Sequence, residues 1–395
     1  MEPSHPPLPL PAGVRSRLVP GVNGLTMHVL EAGHEQPDDR AAQRPRVLLL
    51  HGFPELAYSW RKIMLPLAVA GYHVIAPDQR GYGRTTGWDP AYDGDLASYR
   101  MLNLVRDAVG LLAALGYRSV DAVVGHDFGS FVAAWSALLR PDTFKSVVLM
   151  SAPFGGPPLL PLAAAASAAR QSDGSGGKVA SDQQQPDIHQ ALAALARPRK
   201  HYQWYYSGRE AADNMRHAPQ GLHNFMRAYY HHKSADWKQN VPFELAAWKA
   251  EELQRLPTYY VMDLDEGMAE TVAREMPTPA EIAENRWLPD EELRVYSNEF
   301  ARTGFQGALQ WYRCLTGPRF VGELQLWSGV SIEVPACFIA GQSDWGIRQR
   351  PGDLERMRTK ACTRMSEVHL IPGAGHWVQQ EQPEAVVRHL LEFLR

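Results

Sequence analysis

The stretch Val123-Val124-Gly125-His126-Asp127-Phe128-Gly129 constrains this 395-residue chain more than any other. An apolar run that reads as a buried strand passes directly into a helix-like pattern, and Gly125 and Gly129 flank Asp127 where a strand-to-helix turn leaves no room for side chains. Such a turn points N–H groups and the positive end of a helix dipole at the apex residue, which keeps a carboxylate ionised. Taken alone, G-x-D-x-G is more simply an aspartate capping a helix, so the meaning of Asp127 depends on the rest of the chain.

Further runs rich in Val, Ile and Leu occur at Val47 to Leu50, Val74 to Ala76, Ala122 to Val124, Val147 to Met150, Cys337 to Ala340 and Val368 to Ile371. They read as buried parallel strands. Between them Leu102, Val105, Val109 and Leu112 share one helix face, with Gly116 where a C-cap belongs. Val387, Leu390, Leu391 and Leu394 repeat that pattern after Pro383, which suits a helix's first turn. Strands alternating with helices over residues 20–150, and again from 330 onward, predict an α/β protein with one mostly parallel, doubly wound sheet built from both ends of the chain.

The length exceeds the roughly 250–300 residues at which one hydrophobic core stops growing, so a second module is expected. The middle supplies it: residues 153–330 have few Val/Ile runs and many Tyr, Trp, His, Glu and Met, with helix-like stretches such as Leu222 to Tyr230. The expected organisation is a flexible N-terminal segment over 1–19, a first core part over 20–152, an inserted helical cap domain over 153–330, and a second core part over 331–395. Within the cap, residues 163–185 are rich in Ala, Ser, Gly and Gln, a composition that cannot offset its ordering entropy.

A formal charge of −3 without a long basic run gives no electrostatic reason to expect nucleic acid or an anionic membrane as partner. Cys314, Cys337 and Cys362 are odd in number and lack metal-type spacing, and they read as free thiols in a reducing compartment. With no basic-then-apolar leader, no apolar run of about 20 residues and no C-terminal Ser-Lys-Leu, the expected location is cytoplasmic.

Three more motifs give Asp127 its context. Leu50-His51-Gly52-Phe53-Pro54 follows a predicted strand, in the place from which a second oxyanion N–H is drawn; the donors would be the backbones of Phe53 and Phe128. Gly341-Gln342-Ser343-Asp344 places a carboxylate just past one strand, and Gly373-Ala374-Gly375-His376-Trp377 a histidine just past the next. Each piece alone fits an ordinary turn or cap; together, the order nucleophile, acid, histidine predicts a triad.

Aspartate is the informative letter. A carboxylate of ordinary pKa ~3.9 is already an anion at pH 7 and attacks without a base, which suits displacement at a polarised saturated carbon such as that of an epoxide or alkyl halide. The product is an alkyl ester on Asp127. His376, oriented by Asp344, would then activate water against the ester carbonyl. The chain contains no G-x-S-x-G, so a serine esterase would lack its elbow.

From Pro20 to Arg395 the sequence resembles the soluble epoxide hydrolases of the α/β-hydrolase superfamily, on the motifs quoted above and on Thr303-Gly304-Phe305-Gln306-Gly307-Ala308-Leu309-Gln310-Trp311-Tyr312-Arg313. The resemblance implies an α/β-hydrolase fold and hydrolysis of an epoxide to a vicinal diol, with two cap tyrosines activating the epoxide oxygen. One is Tyr312. The other resembles Tyr202 in His201-Tyr202-Gln203-Trp204-Tyr205-Tyr206, where Tyr205 or Tyr206 could equally be the partner. Phe53, Trp345 and Trp377 are expected to line an apolar pocket for a small lipophilic epoxide, with water as the second reactant.

A dehalogenase would use the same Asp-His-Asp set, but haloalkane-type enzymes commonly carry Trp, and fluoroacetate-type enzymes Arg, where this chain has Phe128. The pattern is also compatible with a ligand-binding protein that kept the fold without turnover, and with a biosynthetic enzyme in which an internal hydroxyl opens the epoxide. His217, His223, His231 and His232 match no zinc spacing and are expected to form a helical surface cluster. Neither a metal nor a nucleotide cofactor is expected.

Overall fold

The computed structural model describes residues 6–34, 44–160 and 187–395. The low-complexity insert expected over 163–185 lies outside the described residues. In chain order the strands are β1 (Val14–Val22), β2 (Leu25–Ala32), β3 (Arg46–Leu50), β4 (His73–Pro77), β5 (Ala122–His126), β6 (Val147–Met150), β7 (Arg199–His201), β8 (Val261–Asp263), β9 (Ala336–Gly341) and β10 (Met365–Ile371). Eight of them form one sheet in the order β1-β2-β4-β3-β5-β6-β9-β10, parallel from β4 onward.

The six apolar runs of the sequence are the six parallel strands. Alternate side chains feed opposite layers, as a pleat requires. Leu48, Leu50, Val123 and Leu149 pack with Leu104, Leu111 and Val132 of helices α2 (Met101–Ala114) and α3 (Phe128–Leu139). Val47, Leu49, Val124 and Val148 pack with Ile63 and Leu67 of α1 (Arg61–Val69) and with Val386 and Leu390 of the helix Pro383–Phe393. Burying each such side chain completely stabilises the fold by roughly 1.5–3 kcal/mol.

The N-terminal side differs from expectation. Within the N-terminal segment expected to be flexible, residues 14–19 instead belong to Val14–Val22, an edge strand paired antiparallel with β2, which in turn runs antiparallel to β4. These strands are held by charge as well as by apolar burial. The fully buried Glu31 of β2 accepts from the Nε groups of Arg15 and Arg17 at 2.9 and 2.5 Å, and an edge strand carrying Arg, Ser and Pro gives no apolar alternation to read.

The insertion is mainly helical, with Tyr202–Ser207, Leu222–Lys233, Asp290–Thr303 and Gln306–Thr316 among its helices, and it also contains the antiparallel pair β7–β8. It is fastened to the sheet domain by buried bonds. The Tyr230 hydroxyl donates to the Pro54 carbonyl (3.0 Å), the Trp311 indole to the Arg80 carbonyl (2.9 Å), and Arg84 pairs with Glu299 (2.7 Å). Two of the histidines expected in a surface cluster, His231 and His232, are instead buried, and His232 packs against the rings of Trp237 and Tyr259. Burial brings the His232 pKa down to about 3.

Candidate active site

The chemistry-bearing residues gather where the carboxyl ends of the parallel strands meet the insertion, the usual ligand edge of an α/β sheet. At the end of β5 the chain turns through Asp127 at φ 52°, ψ −120° into α3. The flanking glycines have no substitute: a Cβ on Gly125 would lie 2.1 Å from the Gly129 carbonyl oxygen, and one on Gly129 would lie 2.2 Å from that of Leu50. Gly52 meets the same limit from the other side, since its Cβ would stand 2.4 Å from that of Asp127. A non-glycine residue in this conformation costs on the order of 1–3 kcal/mol, which the surrounding packing must offset.

The two carboxylate oxygens of Asp127 have different partners. Oδ1 accepts from the backbone N–H of Phe53 at 3.0 Å, and Oδ2 stands 3.2 Å from Nε2 of His376. Phe128 is the first residue of α3, so its N–H has no partner within the helix. The peptide bond between Phe53 and Pro54 is cis. Burial works against the Asp127 charge, but His376, Lys233 and His126 outweigh it, and its pKa is well below the usual carboxylate range.

His376 is buried, and its Nδ1 lies 3.1 and 3.2 Å from the two oxygens of Asp344. The Nδ1 proton is thereby fixed toward the acid and Nε2 is left as the basic nitrogen. Nε2 makes no aligned hydrogen bond among the described residues. Asp344 is itself held by the Gly346 N–H (2.7 Å) and has a lowered pKa: burial raises it, but His376, Gly346 and Lys233 more than offset that. Burial and the Lys233 charge pull the His376 pKa down, yet Asp344 and Asp127 leave it above its ordinary value.

Two residues missed in the sequence complete this frame. Glu55 accepts from the Gly52 N–H (3.0 Å) and from Gln379 (2.8 Å), and its Oε2 lies 2.5 Å from Nδ1 of His126. His126 Nε2 then donates to the His376 carbonyl at 2.7 Å. A single buried chain thus joins the Phe53 loop, the elbow and the histidine loop. The clues in sequence were the Glu directly after H-G-F-P and the His beside Asp127, but nothing local connects them.

Above Asp127 lies a narrow cavity of about 20 Å³. Its apolar wall is Phe128, Phe131, Ala152, Pro153 and Leu315; Tyr202 and Tyr312 close the side contributed by the insertion. Gln203, Leu315, Arg350 and Asp353 also line a wider outer recess of about 400 Å³. Tyr202 and Tyr312 are both buried, with ring centroids 6.1 Å apart. Burial, reinforced by the Asp127 charge, raises both phenol pKa values, so both hydroxyls are protonated at neutral pH.

The three neighbouring tyrosines separate by partner. Tyr202 is the one beside Asp127, its hydroxyl donating to Gln349 and accepting from Gln203, both at 3.2 Å. Tyr205 turns to Asn214 (2.7 Å) and Tyr206 to the Tyr229 hydroxyl (3.1 Å). Trp345 and Trp377, expected in the pocket wall, stand outside the lining. The Trp377 indole donates to the Tyr230 carbonyl (2.8 Å) and stacks on that ring, while Trp345 packs against Phe243. The Phe53 ring is likewise used in packing, edge-on to Tyr206 and Tyr312.

Comparison with known proteins identifies the family. A family model described as the alpha/beta hydrolase fold matches residues 45–383. The chain is 32% identical to epoxide hydrolase B of Mycobacterium tuberculosis over 92% of its own length and 95% of the relative's. It is 30% identical to epoxide hydrolase 3 of Siraitia grosvenorii over 94% and 96%. Among solved structures, an epoxide hydrolase from an endophytic Streptomyces superposes with a TM-score of 0.71 at 30% identity, covering 97% of this chain and 96% of that one. Potato epoxide hydrolase I superposes with 0.67 at 30% identity, covering 96% and 99%. With a matching family model and relatives covering nearly the whole chain, this hydrolase belongs to the epoxide hydrolase family of the α/β-hydrolase superfamily.

Proposed function

We propose that the enzyme converts a compact lipophilic epoxide to a vicinal diol through an ester on Asp127. The observation that carries this reading is the placement of Tyr202 and Tyr312 in the wall of the cavity whose floor is the Asp127 carboxylate. Because Oδ1 is held by the Phe53 N–H, Oδ2 is the attacking atom. Oδ2 forms a bond to one epoxide carbon, the C–O bond at that carbon breaks, and its electron pair goes to the epoxide oxygen, which takes a proton from a tyrosine hydroxyl.

In the second step His376 Nε2 removes a proton from water as the water oxygen attacks the ester carbonyl. Negative charge collects on Oδ1, where the N–H groups of Phe53 and Phe128 receive it. The ester C–O bond then breaks, the diol oxygen takes the proton held by His376, and the proton left on the new Asp127 carboxyl group passes to the tyrosinate, restoring the Asp127 carboxylate and the phenol. Asp344 holds the imidazole in place and stabilises its charged form. The apolar wall of Phe128, Phe131, Pro153 and Leu315 favours a lipophilic substrate.

The tyrosine pair provides the test. In Tyr202→Phe and Tyr312→Phe, ester formation measured by rapid quench is expected to slow by roughly 10–100-fold each, and in the double variant by about 10³-fold or more. Ester formation at the wild-type rate in the double variant would remove the proposed acids. Halide release from chloroalkanes without turnover of epoxides would instead point to a dehalogenase.

A further inference from the structure

Lys233 ends the helix Leu222–Lys233 inside the protein, only 3% exposed, next to a triad whose mechanism makes no use of it. Its ammonium nitrogen has no carboxylate or hydrogen-bonding partner among the described residues. Instead four rings surround it: Tyr229, Tyr259, Tyr260 and Trp377, with centroids 5.2–5.8 Å away. A box of electron-rich faces holds a cation without neutralising its charge, as a salt bridge would.

The same residue touches the histidine loop. The Lys233 carbonyl accepts the His376 backbone N–H at 2.9 Å. Gly375 packs so closely on residues 233–235 that a Cβ there would stand 2.5 Å from the Ser234 carbonyl carbon. Trp377, one wall of the box, has its ring centroid 4.8 Å from that of His376. Glu381 fastens the contact further, accepting the N–H groups of Ala235, Gly375 and Trp377 at 2.8–2.9 Å.

Resting on the two-step mechanism above, we propose that Lys233 is a positioning residue whose boxed ammonium keeps His376 neutral, and so able to act as a base, during hydrolysis of the Asp127 ester. The charge count explains the need. In the resting enzyme, Asp127 and Asp344 both favour an imidazolium. Once Asp127 is an ester, Asp344 still favours it, and a protonated His376 cannot take a proton from water. The Lys233 cation opposes Asp344 from inside the same low-dielectric region. Burial lowers the Lys233 pKa, while Asp127, Asp344 and Glu55 support its charge. The other ionisable groups around it are His376, Tyr229, Tyr259, Tyr260 and the adjoining His232, whose imidazole burial keeps neutral.

The test is single-turnover ester hydrolysis followed against pH in wild type, Lys233→Met and Lys233→Arg. Removing a cation favours protonated His376, so in Lys233→Met the acid limb of the hydrolysis rate is expected to move to higher pH by about one unit, a roughly tenfold loss below the limb. At high pH the rate should return toward wild type, and Lys233→Arg should keep the wild-type limb. A purely structural role would lower the rate at every pH and leave the limb in place, which would overturn the proposal. If Lys233→Met does not fold, a ¹⁵N NMR titration of the Lys233 amine in the wild-type protein decides: an ammonium at pH 7 supports the proposal, and a neutral amine overturns it. Absence of any ester in wild type would instead refute the two-step mechanism itself.

Discussion

Replacing Asp127 with alanine is expected to lower diol formation by roughly 10⁴-fold or more, the largest single effect in the molecule. In the proposed mechanism the side chain supplies the attacking oxygen, and it also carries the atom held by the Phe53 N–H and the anion facing His376. No other carboxylate takes its place: Asp344 is turned to His376 and Gly346, and Glu55 to His126 and Gly52. The fold should survive. The turn's backbone bonds, Asp127 N–H to Met150 and Ser130 N–H to Asp127, do not involve the side chain, and Gly125 and Gly129 still permit the close packing. An unchanged circular dichroism spectrum with diol below detection is the expected pair of results; diol at more than a few per cent of wild type would mean that water attacks the epoxide directly.

His376→Gln is expected to separate the two half-reactions. In the proposed mechanism the Asp127 carboxylate attacks as an anion, and without the imidazole Lys233, His126 and the Phe53 N–H still favour its charge. Ester formation should therefore continue while its hydrolysis stops. The expected result is a burst of one equivalent of epoxide consumed, a protein mass increased by that of the substrate, and steady-state turnover down by about 10³–10⁴-fold. Intact-protein mass spectrometry after mixing reads this directly. A variant that loses turnover without gaining mass would show that His376 is needed for the first step, contrary to the division of labour drawn from the two Asp127 oxygens.

The features of this enzyme that could be read from sequence share a physical cause. Six parallel strands are legible because burial on both faces makes them continuous apolar runs, and Asp127, Asp344 and His376 because each follows such a run at a glycine-marked turn. β1 and β2 lack that signature: they are stabilised by Arg15 and Arg17 on a buried Glu31. β7 and β8 are three residues each, too short for any period.

Side-chain direction is harder to read. Tyr202, Tyr205 and Tyr206 occupy one short helix, and only the partners Gln349, Asn214 and Tyr229 separate them. Trp345 and Trp377 follow Asp344 and His376 in sequence, yet they pack behind the site because their neighbours Phe243 and Tyr230 come from the insertion. Glu55 and Lys233 are hidden for the same reason: Glu55 acts on a histidine 71 positions away, and Lys233 is enclosed by rings drawn from three stretches of chain.

The central claim is that an oxygen of Asp127 enters the product and is replaced from water at each turnover. Running many turnovers of an epoxide in H₂¹⁸O and then weighing the proteolytic peptide that contains Asp127 tests it directly. The ester route predicts that this peptide gains ¹⁸O in its carboxylate and that the diol of the first turnover carries unlabelled oxygen. An unlabelled Asp127 peptide alongside a diol labelled from the first turnover would contradict the account and place water, not Asp127, at the epoxide carbon.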